Sequence, residues 1–163
     1  AIAAISKSNL PKYYFNFADT LKMIAKNDTP FTPAVSLIRG LEEALTMMLD
    51  EGIENVWKRH ADVASWVRRE VQAAGLTLLS KSPSDALTAI RMPEGVVSKD
   101  VIKTMRERHQ IVMADGQGEL QGKIIRFAHM GAACTMESAK RGFSAFSEAM
   151  ALAGFSLEQK AKG

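Results

Sequence analysis

Gly75-Leu76-Thr77-Leu78-Leu79-Ser80-Lys81-Ser82-Pro83-Ser84-Asp85-Ala86-Leu87-Thr88-Ala89-Ile90-Arg91-Met92 is the stretch where the chain stops reading as helix. Before Gly75 the apolar residues recur at a spacing of about 3.6, whereas after it they come in short runs bounded by Ser, Pro and Asp. Residues 76–79 and 86–92 therefore read as two strands joined by a turn at Pro83, and a sheet begins here.

Upstream lie two long helices. Val35, Leu37, Ile38, Leu41, Leu45, Met48 and Leu49 share one stripe of a helix over 34–49, with Glu42, Glu43 and Asp50 on its wet side. Thr32 as N-cap with Pro33 in the first turn would start that helix. After Gly52 a second helix, over 54–73, repeats the pattern with Val56, Trp57, His60, Val63, Ala64, Val67 and Val71, and ends before Gly75. Earlier still, Tyr13-Tyr14-Phe15-Asn16-Phe17 reads as a connector pinned by its rings, leading into a short amphipathic run over 19–26. Ala1-Ile2-Ala3-Ala4-Ile5 has no initiating Met and reads as the tail of a helix already under way.

Downstream of the sheet's start, Ser98 caps a helix running to His109, Ile111-Val112-Met113 reads as a short strand, and Gly116 and Gly118 mark a loop. Residues 123–129 form another strand, and a helix over 136–153 closes the pattern. The order of helices and strands gives an α+β fold, a small and mainly antiparallel sheet covered by helices.

At 163 residues, 47% hydrophobic and 24% charged, the chain can bury one ordinary core. No run approaches the roughly 20 apolar residues of a membrane span, and no basic leader precedes a long apolar run, so an unexported, cytoplasmic protein is expected. The net charge of +3 comes from basic residues interleaved with acids, as in Lys58-Arg59-His60-Ala61-Asp62, which argues against a nucleic-acid patch. The one cysteine, Cys134, has no metal or disulfide spacing around it, and His60, His109 and His129 are too scattered for a metal site or a triad.

Arg126 is the most informative residue, because Ile124-Ile125-Arg126-Phe127-Ala128 is otherwise an apolar strand and a guanidinium there needs a partner. Its planar fork suits a carboxylate. Taken on the strand alone, an arginine reaching solvent or an internal acid is the weightier reading. Thr29-Pro30-Phe31-Thr32-Pro33 offers hydroxyls and free N-H groups at a helix start, which suits an anion such as a phosphate as well as it suits a simple cap. Asp115-Gly116-Gln117-Gly118 lacks the third glycine of a dinucleotide loop and leads into a strand, so it reads as a turn permitting close approach.

In order along the chain stand Leu10-Pro11-Lys12-Tyr13-Tyr14, Thr29-Pro30-Phe31-Thr32-Pro33, Leu41-Glu42-Glu43-Ala44-Leu45, Glu51-Gly52-Ile53-Glu54-Asn55, Gly116-Gln117-Gly118 and Gly122-Lys123-Ile124-Ile125-Arg126. Together they resemble the C-terminal part of the class V aminotransferases of the alanine-glyoxylate and serine-pyruvate type. The resemblance implies a fold-type I homodimer dependent on pyridoxal 5'-phosphate. Residues 1–32 would end the large domain, 33–52 would form the connecting helix and 53–163 the small C-terminal domain.

By the same resemblance Arg126 falls on the arginine that holds the substrate carboxylate, and Thr32 on a threonine that reaches the cofactor phosphate bound mainly by the other subunit. Thr29 takes a similar role, although some relatives place a tyrosine there. The Schiff-base lysine, its aspartate and the ring-stacking aromatic would lie upstream of Ala1; Ser80-Lys81-Ser82 is not that lysine, since it opens the small domain. The implied reaction passes an amino group from alanine or serine to glyoxylate or pyruvate. The alternatives are another class V enzyme, a phosphonate-amine transaminase or a lyase, and a free-standing, non-catalytic interaction domain.

Overall fold

The structure, a computed structural model, describes residues 2–5 and 7–155. The chain divides into two units, Ala1–Asp50 and Glu51–Gly163. In the first, α1 spans Ile2–Ile5, α2 spans Phe17–Ile24 and α3 starts at Val35 and runs to Glu51. Asn16 caps α2, accepting the Ala18 N-H at 3.1 Å and donating to Asp19 at 2.6 Å. The aromatic connector is pinned as its composition suggests: the Tyr14 and Phe31 rings stack at 4.7 Å and Tyr13 lies 5.6 Å from Phe31.

The start of α3 differs from the sequence reading. Ala34, not Thr32, supplies the first helical carbonyl, to the Ile38 N-H at 3.0 Å, and the Val35 N-H turns back to the Pro33 carbonyl at 2.9 Å. Pro33 thus sits just outside the helix, and Thr32 is too far from the first turn to cap it. The apolar stripe of α3 is bare, with Leu37 73% and Leu41 58% exposed.

The second unit holds α4 (Ile53–Ala73), β1 (Leu87–Arg91), α5 (Ser98–His109), β2 (Ala114–Asp115), β3 (Ile124–Ala128) and α6 (Met136–Leu152). The strands are antiparallel in the order β1-β3-β2, with Ala89 and Ala114 opposite Arg126 on either side. Alternation along the strands sends Thr88, Ile90, Ile125 and Phe127 to one face. There Val63, Val67 and Val71 of α4, Val101, Ile102 and Met105 of α5, and Phe146, Ala149 and Met150 of α6 close the core. Helix α4 stops short of Gly75, whose φ of +79° lets the Leu76 N-H reach back to the Val71 carbonyl at 3.1 Å and carries Leu76 into the core. Thr135 caps α6, its hydroxyl oxygen accepting the Ser138 N-H at 3.1 Å.

Three local expectations shift. Residues 76–79 run beside β1 with only one bridge, Leu78 to Ile90, before the chain bends at Leu79. The strand expected at 111–113 is displaced to Ala114–Asp115, because Gln110 leaves α5 in a left-handed conformation and Met113 is spent on the core. Ser98 is the first residue of α5 rather than its cap, and its hydroxyl goes elsewhere.

Candidate substrate-carboxylate site

On the face of the sheet away from the core, Arg126 stands between two alanines, Ala89 and Ala114, which leave room around its side chain. The guanidinium is half-buried. Its Nε donates to the Asp115 main-chain carbonyl at 2.8 Å, and among the described residues neither of its terminal nitrogens has a hydrogen-bond partner and no carboxylate pairs with it. An arginine in this state keeps both parallel donors of its fork for a ligand, the arrangement that a carboxylate completes.

Because β2 is only two residues long, β3 runs on past it, and a cleft of about 560 Å³ opens between residues 110–114, the end of β3 and the first turns of α6. Arg126, Ala128, His129, Met113, Thr135 and Arg141 line it. By register the Ala128 main-chain N-H and carbonyl point toward that open edge, since the pairs with β1 engage Phe127 and His129 instead. The cleft is concave and partly apolar with cations at its rim, a suitable seat for a small anion.

Asp115 is the other polar centre. Its Oδ1 accepts from the Ser98 hydroxyl at 2.5 Å, the Gly116 N-H at 2.7 Å and the Gly122 N-H at 3.0 Å. Burial raises its pKa, but these three donors outweigh that effect, with the charge of Lys99 assisting, and hold the carboxyl below its ordinary range. Gly116 is required here: a Cβ would lie 2.1 Å from the Leu120 carbonyl oxygen.

His129 is more than the strand-end histidine of the sequence reading. Only 4% exposed, it donates from Nδ1 to the Asp85 carbonyl at 3.1 Å, which leaves Nε2 to accept the Thr88 hydroxyl at 2.8 Å. Burial, with help from the charge of Arg68, lowers its pKa and keeps the ring neutral. Cys134 is buried, which raises its pKa and keeps the thiol protonated. Among the described residues no cluster of His, Cys, Asp and Glu could hold a metal ion.

Thr29 and Thr32 lie in the first unit, and both are exposed. The Thr29 hydroxyl donates to the Phe31 carbonyl at 2.7 Å and has no second proton to give. The Thr32 hydroxyl is unengaged among the described residues, so it is the better fitted of the two to a phosphate oxygen.

No family model matches the chain. It is 37% identical over 134 residues to the L-aspartate–glyoxylate aminotransferase of Paracoccus denitrificans, a match covering 80% of this chain and 34% of that protein. To the pyridoxamine–pyruvate transaminase of Mesorhizobium japonicum it is 42% identical over 131 residues, 78% of this chain and 33% of the other. The solved pyridoxamine-pyruvate aminotransferase from Mesorhizobium loti superposes with a TM-score of 0.76 at 41% identity, over 80% of this chain and 34% of that one. The chain belongs to the class V aminotransferases.

It spans about a third of the length of the curated relatives it matches. Within this class V chain the sequence singled out Arg126 but missed the residues around it. Asp115 and Ser98 are 17 positions apart and His129 and Thr88 are 41 apart, so no local spacing signals either contact. The one usable hint was Ser98 at a helix start, which reads as a cap.

Proposed function

We propose that this chain supplies the substrate-carboxylate arm of a cytoplasmic, homodimeric, pyridoxal-phosphate-dependent transaminase that moves an amino group from alanine or serine to glyoxylate or pyruvate. The observation that carries the reading is the half-buried Arg126 with Nε anchored on Asp115 and its fork open. In this reading residues 1–32 end the cofactor-binding domain, 33–52 connect, and 53–163 form the small domain.

When bound, pyridoxal phosphate supplies an electron sink for the bonds at the amino acid's Cα. What this chain does is positional. Arg126 grips the carboxylate by two parallel hydrogen bonds, which fixes the rotation of the substrate about its Cα and so sets which bond faces the reacting centre. Thr32 donates its free hydroxyl to a phosphate oxygen, and Thr29 does so only by giving up its bond to the Phe31 carbonyl.

The names of the relatives favour a carboxylate common to their substrates. Their donors are aspartate, serine and pyridoxamine, and pyridoxamine has no carboxylate, whereas the acceptors glyoxylate and pyruvate both do. In this reading Arg126 serves the 2-oxo acid, and the donor as well where the donor is an amino acid.

In the complete enzyme Arg126→Ala is expected to lower kcat/KM by about 2–5 kcal/mol, the cost of leaving a buried charge without its partner, through a raised KM for alanine and for glyoxylate. Bound cofactor, read by its visible absorbance, stays. An unchanged KM for both substrates would remove Arg126 from the carboxylate site.

A further inference from the structure

We infer that Asp115 is a positioning residue for Arg126: its side chain is tied down so that its main-chain carbonyl is aimed at the guanidinium Nε. The inference rests on the reading that Arg126 holds the substrate carboxylate.

Little else holds β2. A strand of two residues has too few ladder hydrogen bonds to fix the direction of one carbonyl by itself. The missing constraint is a knot of four bonds. The Ser98 N-H donates to the Gly122 carbonyl at 3.3 Å, and the Ser98 hydroxyl and the Gly122 and Gly116 N-H groups all converge on Asp115 Oδ1. The start of α5, the end of β2 and the turn into β3 are thereby closed on one oxygen. Gly122, at φ +80°, and Gly116, with no space for a Cβ, let the backbone come close enough to donate.

The Asp115 carbonyl then meets Arg126 Nε at 2.8 Å. Anchoring at Nε rather than at the fork matters chemically, because a carboxylate on the terminal nitrogens would compete with the substrate's own. The carboxylate of Asp115 is instead saturated at Oδ1 by three neutral donors. Its Oδ2 is buried and has no hydrogen-bond partner among the described residues, so the side chain is not swung out to neutralise the arginine. The arginine keeps its charge and loses its freedom of orientation.

The test is a double-mutant cycle in the complete enzyme loaded with pyridoxal phosphate, with alanine and glyoxylate as substrates. Asp115→Ala is expected to raise KM for both about tenfold or more, with kcat within about threefold, because the guanidinium is misplaced rather than removed. In an Arg126→Ala background the same change is expected to do nothing further to KM, since the residue it acts through is gone. Asp115→Asn, which keeps Oδ1 as an acceptor, recovers part of the loss. Equal KM increases in both backgrounds, or none in the parent, overturn the inference. If Arg126→Ala alone leaves KM unchanged, the reading beneath it falls as well, which the cycle reports separately. Should Asp115→Ala fail to fold, Ser98→Ala removes one of the three donors and is read in the same cycle, with about a threefold rise expected only where Arg126 is present.

Discussion

His129 shows how one side chain joins stability to the site. Its ring closes a path from Arg68, which donates to the Asp85 carboxylate at 3.1 Å, through the Asp85 carbonyl to the Thr88 hydroxyl, and it lines the cleft beside Arg126. Protonation would put a second N-H where Nε2 accepts a hydrogen bond and would bring a charge into a site with Arg68 nearby. The folded pKa is lowered from the ordinary 6.5, first by burial, so the unfolded chain binds the proton more readily. Stability linked to this ring is therefore complete above pH 6.5, is lost as pH falls from 6.5 toward the lowered folded value, and is flat below it. The expected result is a urea midpoint that drops between pH 7 and pH 5 in the parent, with a visibly shallower drop in His129→Gln. Equal slopes would mean that the ring titrates alike folded and unfolded. Arg126, by contrast, is legible in the sequence, because a permanent charge inside an apolar strand requires an explanation, while a histidine at a strand end does not.

Among the elements, α6 is where packing and propensity oppose each other. Gly142 lies mid-helix, where alanine would ordinarily gain about 1 kcal/mol of helix stability. Its missing Cβ, however, is the space taken by the Phe127 ring: a methyl would come to 2.9 Å from Phe127 Cζ, and Phe127 is only 5% exposed. Overpacking of this kind costs about 1–3 kcal/mol, so the contact outweighs the propensity. Gly142→Ala is expected to be net destabilising by up to about 2 kcal/mol by urea unfolding. The penalty should shrink in a Phe127→Leu background; a stabilised single variant would show that the ring moves freely. The helices were readable because their signals are local: α4 stops before Gly75 as that residue type suggests, and α6 covers the stretch its periodicity marked, with Thr135 as the cap that the structure adds. The edge strands were less so. Apolarity at 111–113 marks Met113 as core, but the ladder forms at Ala114–Asp115, and which residues bond is decided by register with β3, a tertiary fact.

Across the whole chain the core belongs to one unit. Every member of its buried cluster, from Val63 to Met150, lies in Glu51–Gly163, while no described residue of Ala1–Asp50 is buried. The apolar stripe of α3 was legible as periodicity, but the sequence alone could not say that it would stand bare, because a stripe records the need for cover and not its source. Leu37, Ile38, Leu41, Leu45 and Leu49 stand exposed along α3, and Tyr13 and Phe15 are exposed in the same unit; exposed apolar side chains of this sort drive association. A chain beginning at Glu51 should therefore keep the fold of the second unit, since it retains the whole core and the Glu51 carboxylate that receives the Arg59 guanidinium at 2.6 and 2.8 Å. That ion pair also steadies Arg59 where it holds the Cys134 carbonyl at 2.6 Å, ahead of the α6 cap. The expected result is a single cooperative urea transition within about 1 kcal/mol of that of the 163-residue chain, together with less self-association in sedimentation, because conformational entropy is spent in both units but apolar burial is returned in only one. If near-ultraviolet dichroism and cooperativity vanish on removing residues 1–50, the first unit contributes stability that its exposed side chains do not account for, and the core of Glu51–Gly163 is insufficient by itself.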